Sequence, residues 1–279
     1  MTEKVRIDTI EKTTTNTPYK KLSIQVGLNG LSFCIIDTIA NKVIDADKVV
    51  FKTQTTPYLL LRELKDLFDQ KGVADHQIAD VTVVHQNNLF SLVPKVFFRE
   101  QELPDYLKFN TKILPSDQIV YDEIENHDMV NVYVPFTNIN NYIFDLYGAF
   151  EFKHSGTILI QTLLGQKNMG AAPICYGHVT DQTLEILVVR QKDLLLYNFF
   201  NYSTKEDFLY YILFVFEQLG LDTERHPLKL FGSIEENDAY YKLCYDYIQN
   251  VSVFTLANSA YIFDYTAEDS IDLTVLGAL

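Results

Sequence analysis

Asp45 and Asp47 are the nearest this chain comes to a paired-carboxylate site. Two residues apart on a strand, their side chains share one face, as general acid–base work would need. The same spacing marks the solvated face of an edge strand, and that is how the pair reads. The six histidines show neither H-x-x-x-H nor H-E-x-x-H spacing, so no zinc site is expected. Cys34, Cys175 and Cys244 are far apart, odd in number and without C-x-x-C spacing, so neither a disulfide framework nor a zinc knuckle is indicated. Cys34 and Cys175 lie in apolar runs and read as small core residues in a reducing compartment. Ser155-Gly156, Gly165 and Gly170 form neither a P-loop nor G-x-G-x-x-G. Ser233 lacks the setting of a nucleophile elbow. Tyr240, Tyr241, Tyr245 and Tyr247 could stack bases, but without surrounding Lys or Arg they read as packing or as an interface. No catalytic residue and no metal ligand can be named on these grounds.

Composition narrows the partners. A net charge of −14 over 279 residues argues against a nucleic-acid backbone or an anionic membrane as the main partner. Lys20-Lys21 is the only adjacent pair of Lys or Arg, and no dense basic run exists. With 47% apolar and 22% charged residues the chain is an ordinary globular one. Its aromatic content is skewed to 18 Tyr and 19 Phe with no Trp. Residues 1–19 are polar and Thr-rich without an apolar core, and the longest apolar run, 208–216, is far short of the roughly 20 residues a membrane span needs. The expected location is the cytoplasm, with no membrane insertion.

The elements that must position any site come in two matching sets. Residues 22–84 read as a strand (22–26), a turn at Asn29-Gly30, strands at 31–36 and 43–51, a helix opened by Thr56-Pro57, and a strand at 81–84. Residues 173–231 read as a strand (174–179), a turn at 180–182, strands at 184–189 and 194–200, a helix opened by Ser203-Thr204, and a strand at 228–231. Matched elements lie close to 150 residues apart, which predicts an internal duplication. Asn-Gly between apolar runs signals a hairpin because both residues accept positive φ. The first helix carries Tyr58, Leu61, Leu64, Leu67 and Phe68 at helical spacing and ends at Gly72. The acidic stretch 117–126 reads as exposed, 138–150 and 156–164 as helices, and 166–172 as a hinge. Ser203-Thr204-Lys205-Glu206 reads as a capping box.

The helix it opens is apolar throughout 208–216, and a helix turns about 100° per residue, so one sheet cannot cover it. Phe208, Tyr211, Ile212, Val215 and Leu219 form the stripe for its own sheet. Tyr210, Leu213 and Phe214 need a second cover, expected from within the same chain.

The fold class is α/β, in the order β-β-β-α-β-α-β repeated twice, with a first domain over 1–150 and a linker helix plus second domain over 151–279. That order is ribonuclease-H-like. Two such domains back to back resemble the actin-like ATPase superfamily of sugar kinases, Hsp70 and actin. The chain also resembles a bacterial family known as domain of unknown function 3822, on Leu22-Ser23-Ile24-Gln25-Val26-Gly27, Phe90-Ser91-Leu92-Val93-Pro94 and Leu228-Lys229-Leu230-Phe231-Gly232.

The resemblance implies a ligand cleft between the domains. Active members carry Asp-x-Gly on the first hairpin, the Asp holding a Mg²⁺-bound water and the Gly letting backbone amides approach phosphates. Gln25 and Gly27 stand at those positions here, and a neutral glutamine is a poor partner for Mg²⁺. The second hairpin has His178 and Thr180 in place of a second Asp-x-Gly. The adenosine-side pair of glycines is reduced to Gly232, followed by Ser233. If the cleft binds a ligand, the candidates are Gln25, Gly27, Asn29, His178, Thr180 and Gly232. His178 reads either as a polar group at the cleft mouth or as a strand-end histidine bonded to backbone.

The expected function is that of a non-catalytic, actin-like-fold scaffold working through protein contacts, with a homodimer as one form and no cofactor. The alternative is a relative that still binds a nucleotide, as ATP with Mg²⁺, or a sugar in the cleft.

Overall fold

The computed structural model describes residues 19–166 and 170–254, together with Thr274 and Ala278. The expected hinge at 166–172 falls in part on 167–169, outside the described residues.

The first half opens with β1 (Lys20–Gly27), β2 (Gly30–Asp37) and β3 (Lys42–Val50), followed by α1 (Pro57–Lys71) and β4 (Ile78–Gln86). An insertion then runs through β5 (Phe90–Pro94), α2 (Leu103–Leu107), β6 (Val120–Ile124) and β7 (Met129–Tyr133). The half closes with α3 (Thr137–Tyr147) and β8 (Glu151–His154). α4 (Ser155–Leu164) leads into the second half: β9 (Ile174–Val179), β10 (Thr183–Arg190), β11 (Asp193–Asn201), α5 (Lys205–Gln218), β12 (Leu228–Gly232), α6 (Ala239–Tyr245) and β13 (Val251–Val253).

The duplication is plain in the sheets. One has the order β3-β2-β1-β4-β8 and the other β11-β10-β9-β12-β13. In both, the first three strands pair antiparallel and the last two are added parallel. Ile24 and Ile174 therefore lie on equivalent central strands. The first sheet is complete only at His154, past the position 150 at which the sequence divides the chain. The insertion forms a separate antiparallel sheet, β5-β7-β6, with its own core of Val93, Leu107, Val130, Val132 and Val134.

Local chemistry explains most of the helices. Thr56 accepts a hydrogen bond from Leu59 N, Pro57 fills the first helical position, and Gly72 ends α1 in the left-handed region at φ 62°. The stripe that α1 buries is Leu60, Leu64, Leu67 and Phe68, packed on Leu22, Ile24 and Phe33; Tyr58 is exposed instead. α4 is buried at nearly every position because it lies between layers. Its Leu159, Ile160, Leu163 and Leu164 pack on Tyr176, Leu187 and Tyr197 of the second sheet. α5 and α6 cover that sheet's other face. Gly156 on α4 is a requirement of this packing, because a Cβ there would sit 2.4 Å from the Tyr197 ring.

Five readings from the sequence need correction. The first hairpin turns at Leu28-Asn29, and neither Asn29 nor Gly30 has positive φ. Gly30 is needed for close approach, since a Cβ there would lie 2.7 Å from the Val49 carbonyl oxygen. The acidic stretch 117–126 contains β6, paired to β7, because Asp122 finds buried partners. β8 was not foreseen at all. The capping box of α5 is made by Thr204 and Asp207, which exchange hydrogen bonds of 3.1 Å, one residue further on than the sequence suggests. Finally, no element among the described residues covers the outer face of α5: Tyr210 is 61% and Phe214 38% exposed, and their rings stack on each other. Phe208, Ile212 and Val215 do pack on the second sheet, with Tyr211 and Leu219 at the edge of that core.

Candidate functional site

The hairpins β1–β2 and β9–β10 face each other, and their register aligns the two halves residue by residue. Gly27 and Gly30 close the first hairpin, and Gln25 lies opposite Ser32. Thr180 and Thr183 close the second, with Thr180 N donating to Thr183 O at 2.9 Å, and His178 lies opposite Glu185. Gln25 is thus the counterpart of His178, Gly27 of Thr180, and Asn29 of Gln182.

Between the hairpins and the segment after β12 lies a cavity of about 620 Å³. Gln25, Asn29, Thr180 and Gly232 line it; Gly27 and His178 do not. Gly27 lies against the backbone of Gln86, which a Cβ would approach to 3.3 Å. Gly232 has φ 93°, and a Cβ there would meet Val179 O at 2.3 Å and His178 Cδ2 at 3.0 Å. Its glycine identity is therefore set by the closeness of β12 to β9. The charged residues at the cavity are Asp181, Glu235 and Asp238 against Lys48. Three carboxylates and one ammonium give a rim that disfavours a polyanion.

His178 is neither at the cleft mouth nor bonded to backbone through Nδ1. It has no exposed surface, stacks on Phe231 with centroids 5.0 Å apart, and pairs through Nδ1 with Glu185 Oε2 at 2.9 Å. Glu185 is the centre of the site and has no exposed surface. Its Oε2 also accepts from Gln86 Nε2 at 2.9 Å, and its Oε1 accepts from Ser155 Oγ at 3.0 Å and Tyr197 OH at 2.6 Å. Burial alone would push the Glu185 carboxyl up. The hydrogen bond and charge of His178, with the bonds from Tyr197 and Gln86, outweigh burial and hold it below the ordinary range.

The network continues into the first domain. Gln25 Nε2 donates to Gln86 Oε1 at 3.1 Å, and Gln25 Oε1 accepts from the Thr274 hydroxyl. Both polar ends of Gln25 are therefore engaged. Two further bonds cross the cleft in a matched pair. Asn29 Nδ2 donates to Asn201 Oδ1 at 3.3 Å, and its counterpart Gln182 Nε2 donates to Phe51 O at 2.6 Å. Each hairpin turn thus reaches the far end of the other domain's third strand. The cleft floor is a polar seam joining the domains.

A second polar cluster lies beside it. Asp122 accepts from His154 N at 2.8 Å, Thr157 Oγ1 at 2.7 Å and Tyr133 OH at 3.0 Å. Burial nonetheless pushes its carboxyl up, outweighing those bonds. Among the described residues no three of His, Cys, Asp and Glu lie together as metal ligands.

Glu185, Gln86, Ser155 and Tyr197 were not singled out from the sequence. Glu185 carried the clearest signal, as the one charged residue inside the apolar run 184–189. A charge in such a run must find partners when buried.

The family model described as "Protein of unknown function (DUF3822)" matches residues 9–251. Among solved structures, the chain is similar to a Bacteroides thetaiotaomicron protein with an actin-like ATPase fold and unknown function. The two are 22% identical, with a TM-score of 0.76 over 88% of this chain and 94% of that one. It is also similar to a chain of the PilM–PilN type IV pilus biogenesis complex, at 13% identity and a TM-score of 0.55 over 92% of this chain and 97% of that one. No curated protein matches significantly. At these identities the structural likeness shows the fold: two ribonuclease-H-like domains in the actin-like ATPase arrangement. No helix among the described residues is long and apolar enough to cross a membrane.

Proposed function

The chain belongs to the DUF3822 family, and from that membership and the chemistry of its cleft we propose that it is a non-catalytic actin-like-fold protein that works as a protein-binding scaffold. The observation that carries this reading is the fate of the two hairpin positions. At the first, both ends of the Gln25 side chain are held, by Gln86 and by Thr274. At the second, His178 is buried against Glu185, whose oxygens already accept four hydrogen bonds. No carboxylate oxygen at either position faces the cavity to hold a metal-bound water. Mg²⁺-ATP does not fit the residues present.

The seam also spans both domains, so it opposes the domain opening by which a cleft admits and releases a ligand. Support for protein contacts comes from the aromatic face of α5 that no element among the described residues covers, where Tyr210 and Phe214 stand exposed. The PilM neighbour offers an analogy of fold only, since its structure is that of a complex with PilN. A self-associated form of the chain falls within the same reading.

The reading predicts no ATP hydrolysis above the uncatalysed background in a steady-state assay with Mg²⁺. Turnover that disappears in Gln25→Ala would contradict it and place real chemistry at the first hairpin.

A further inference from the structure

β11 is the outer strand of its sheet, and among the described residues no strand lies beyond it. We propose that two copies of the chain join at this edge, β11 against β11 in antiparallel pairing about a two-fold axis, so that the two second-domain sheets run on as one.

The backbone is set for strand addition. Tyr202 N donates to Gln182 O at the β10 end of the ladder, so the even-numbered residues of β11 turn their N–H and C=O groups to β10 and the odd-numbered ones turn theirs outward. The outward N–H of Phe199 donates to the exposed side chain of its own neighbour, Asn198 Oδ1, at 2.9 Å. An open row of such groups is a template for another strand.

The duplication supplies a comparison. β3 holds the same edge position in the first sheet and is charged, with Lys42, Asp45, Asp47 and Lys48. Charges of this kind keep an edge from pairing. β11 lacks that protection: residues 194–204 carry no charge, in a chain of net −14. A two-fold contact sets each residue near the axis against its own copy, so a charge there would meet a like charge. The neutral stretch therefore suits a second copy. Charge returns at both ends, in complementary order. Lys192 and Glu206 stand seven residues either side of Phe199, and Asp193 and Lys205 six. All four are exposed. Antiparallel pairing centred on Phe199 brings Lys192 of one copy beside Glu206 of the other, and Asp193 beside Lys205, at both ends of the join. The aromatic surface continues from β11 onto α5, since Phe200 stacks on Tyr211 at 4.5 Å and Tyr210 packs edge-on against Tyr211 at 5.6 Å.

The inference rests on the scaffold reading and names one protein partner for it, a second copy. Sedimentation equilibrium of the full chain should give the mass of two chains. Phe199→Lys and Phe199→Asp each put a like-charge pair at the axis, and each should weaken the dimer about tenfold or more. Mixed in equal amounts, the two variants should recover a dimer holding one copy of each. Phe199→Pro removes an N–H that the chain's own ladder does not use, and should also leave single chains. The mass of one chain at every concentration overturns the proposal. So does a dimer indifferent to both charged variants, or a mixture of them that stays monomeric. Should circular dichroism show that the Phe199 variants do not fold, the exposed ends decide. Lys192→Glu should weaken the dimer roughly threefold, and adding Glu206→Lys should restore it; no change in either overturns the proposal. A monomeric chain leaves the scaffold reading standing, whereas ATP turnover would remove that reading and leave the measured mass as it is.

Discussion

Replacing Glu185 by Ala should destabilise this protein by about 3–5 kcal/mol, the range for breaking a buried ion pair by removing one partner. The loss does not come from the side chain's own contacts alone. Glu185 accepts from Gln86, Ser155 and Tyr197 and pairs with His178, all within 3.0 Å and all in a site closed to water. Truncation leaves those groups without their acceptor, and each unsatisfied buried donor costs about 1–3 kcal/mol before relaxation. Glu185→Gln should cost less, because it keeps one acceptor oxygen, but it turns an amide N–H toward existing donors. Urea unfolding of the three chains measures the series. A Glu185→Ala chain within about 1 kcal/mol of the native one would mean that the seam does not hold the domains together.

Acid should unfold the protein through two other histidines. His85 and His154 have no exposed surface. Each takes a backbone N–H on Nδ1, from Phe136 at 3.2 Å and from Gly156 at 3.0 Å, and meets an acceptor oxygen at Nε2, from Asn140 at 2.9 Å and from Asn87 at 3.0 Å. That pattern fixes both rings as the neutral Nε2–H form. A proton added to Nδ1 would face an N–H already pointing at it.

Burial is the main cause that lowers both, His85 to about 3 and His154 to about 4, against 6.5 in the unfolded chain. The bond to Asn140 partly offsets the effect for His85, and the Glu185 charge partly offsets it for His154. A depressed histidine is neutral in both states above the unfolded value, so it adds no pH dependence there. Below 6.5 the unfolded chain takes up protons that the folded one refuses, and stability falls until the folded values are reached. Two such groups remove on the order of 5 kcal/mol by about pH 4.5, comparable to the whole stability of many domains. Asp122 works the other way, since its raised value lets the folded state take a proton early. Glu185 adds a further loss only at lower pH, through its depressed carboxyl. Unfolding free energies measured from pH 7 to 4.5 should therefore drop steeply. A flat profile would contradict the buried, neutral assignment of both rings.

What the sequence discloses about this fold is local chemistry and repetition. Thr56-Pro57 and Gly72 mark the ends of α1 because caps act within one turn, and the doubled order of strands is visible because apolar runs survive duplication. What it hides depends on distant partners. β6 looks exposed because Asp122 and Glu123 are acidic; Asp122 is half-buried only because Tyr133, Thr157 and the backbone of His154 come to it. β8 has four residues, too few for a periodic signal, and is defined by pairing with β4. The outer face of α5 reads as a buried one, yet no element among the described residues crosses it.

The site divides in the same way. The counterparts Gln25 and His178 could be aligned from the hairpins alone. That His178 is sealed against Glu185, and Gln25 held at both ends, follows from residues 86, 155, 185, 197 and 274, which no local pattern connects.

The most direct measurement of the central claim is a calorimetric titration of the full chain with Mg²⁺-ATP. A cleft whose floor is a polar seam, whose rim is net acidic and whose hairpin positions are engaged should give no saturable heat, and the melting temperature should not move at saturating nucleotide. A one-to-one isotherm that vanishes in Gln25→Ala would contradict the account and return this cleft to nucleotide binding.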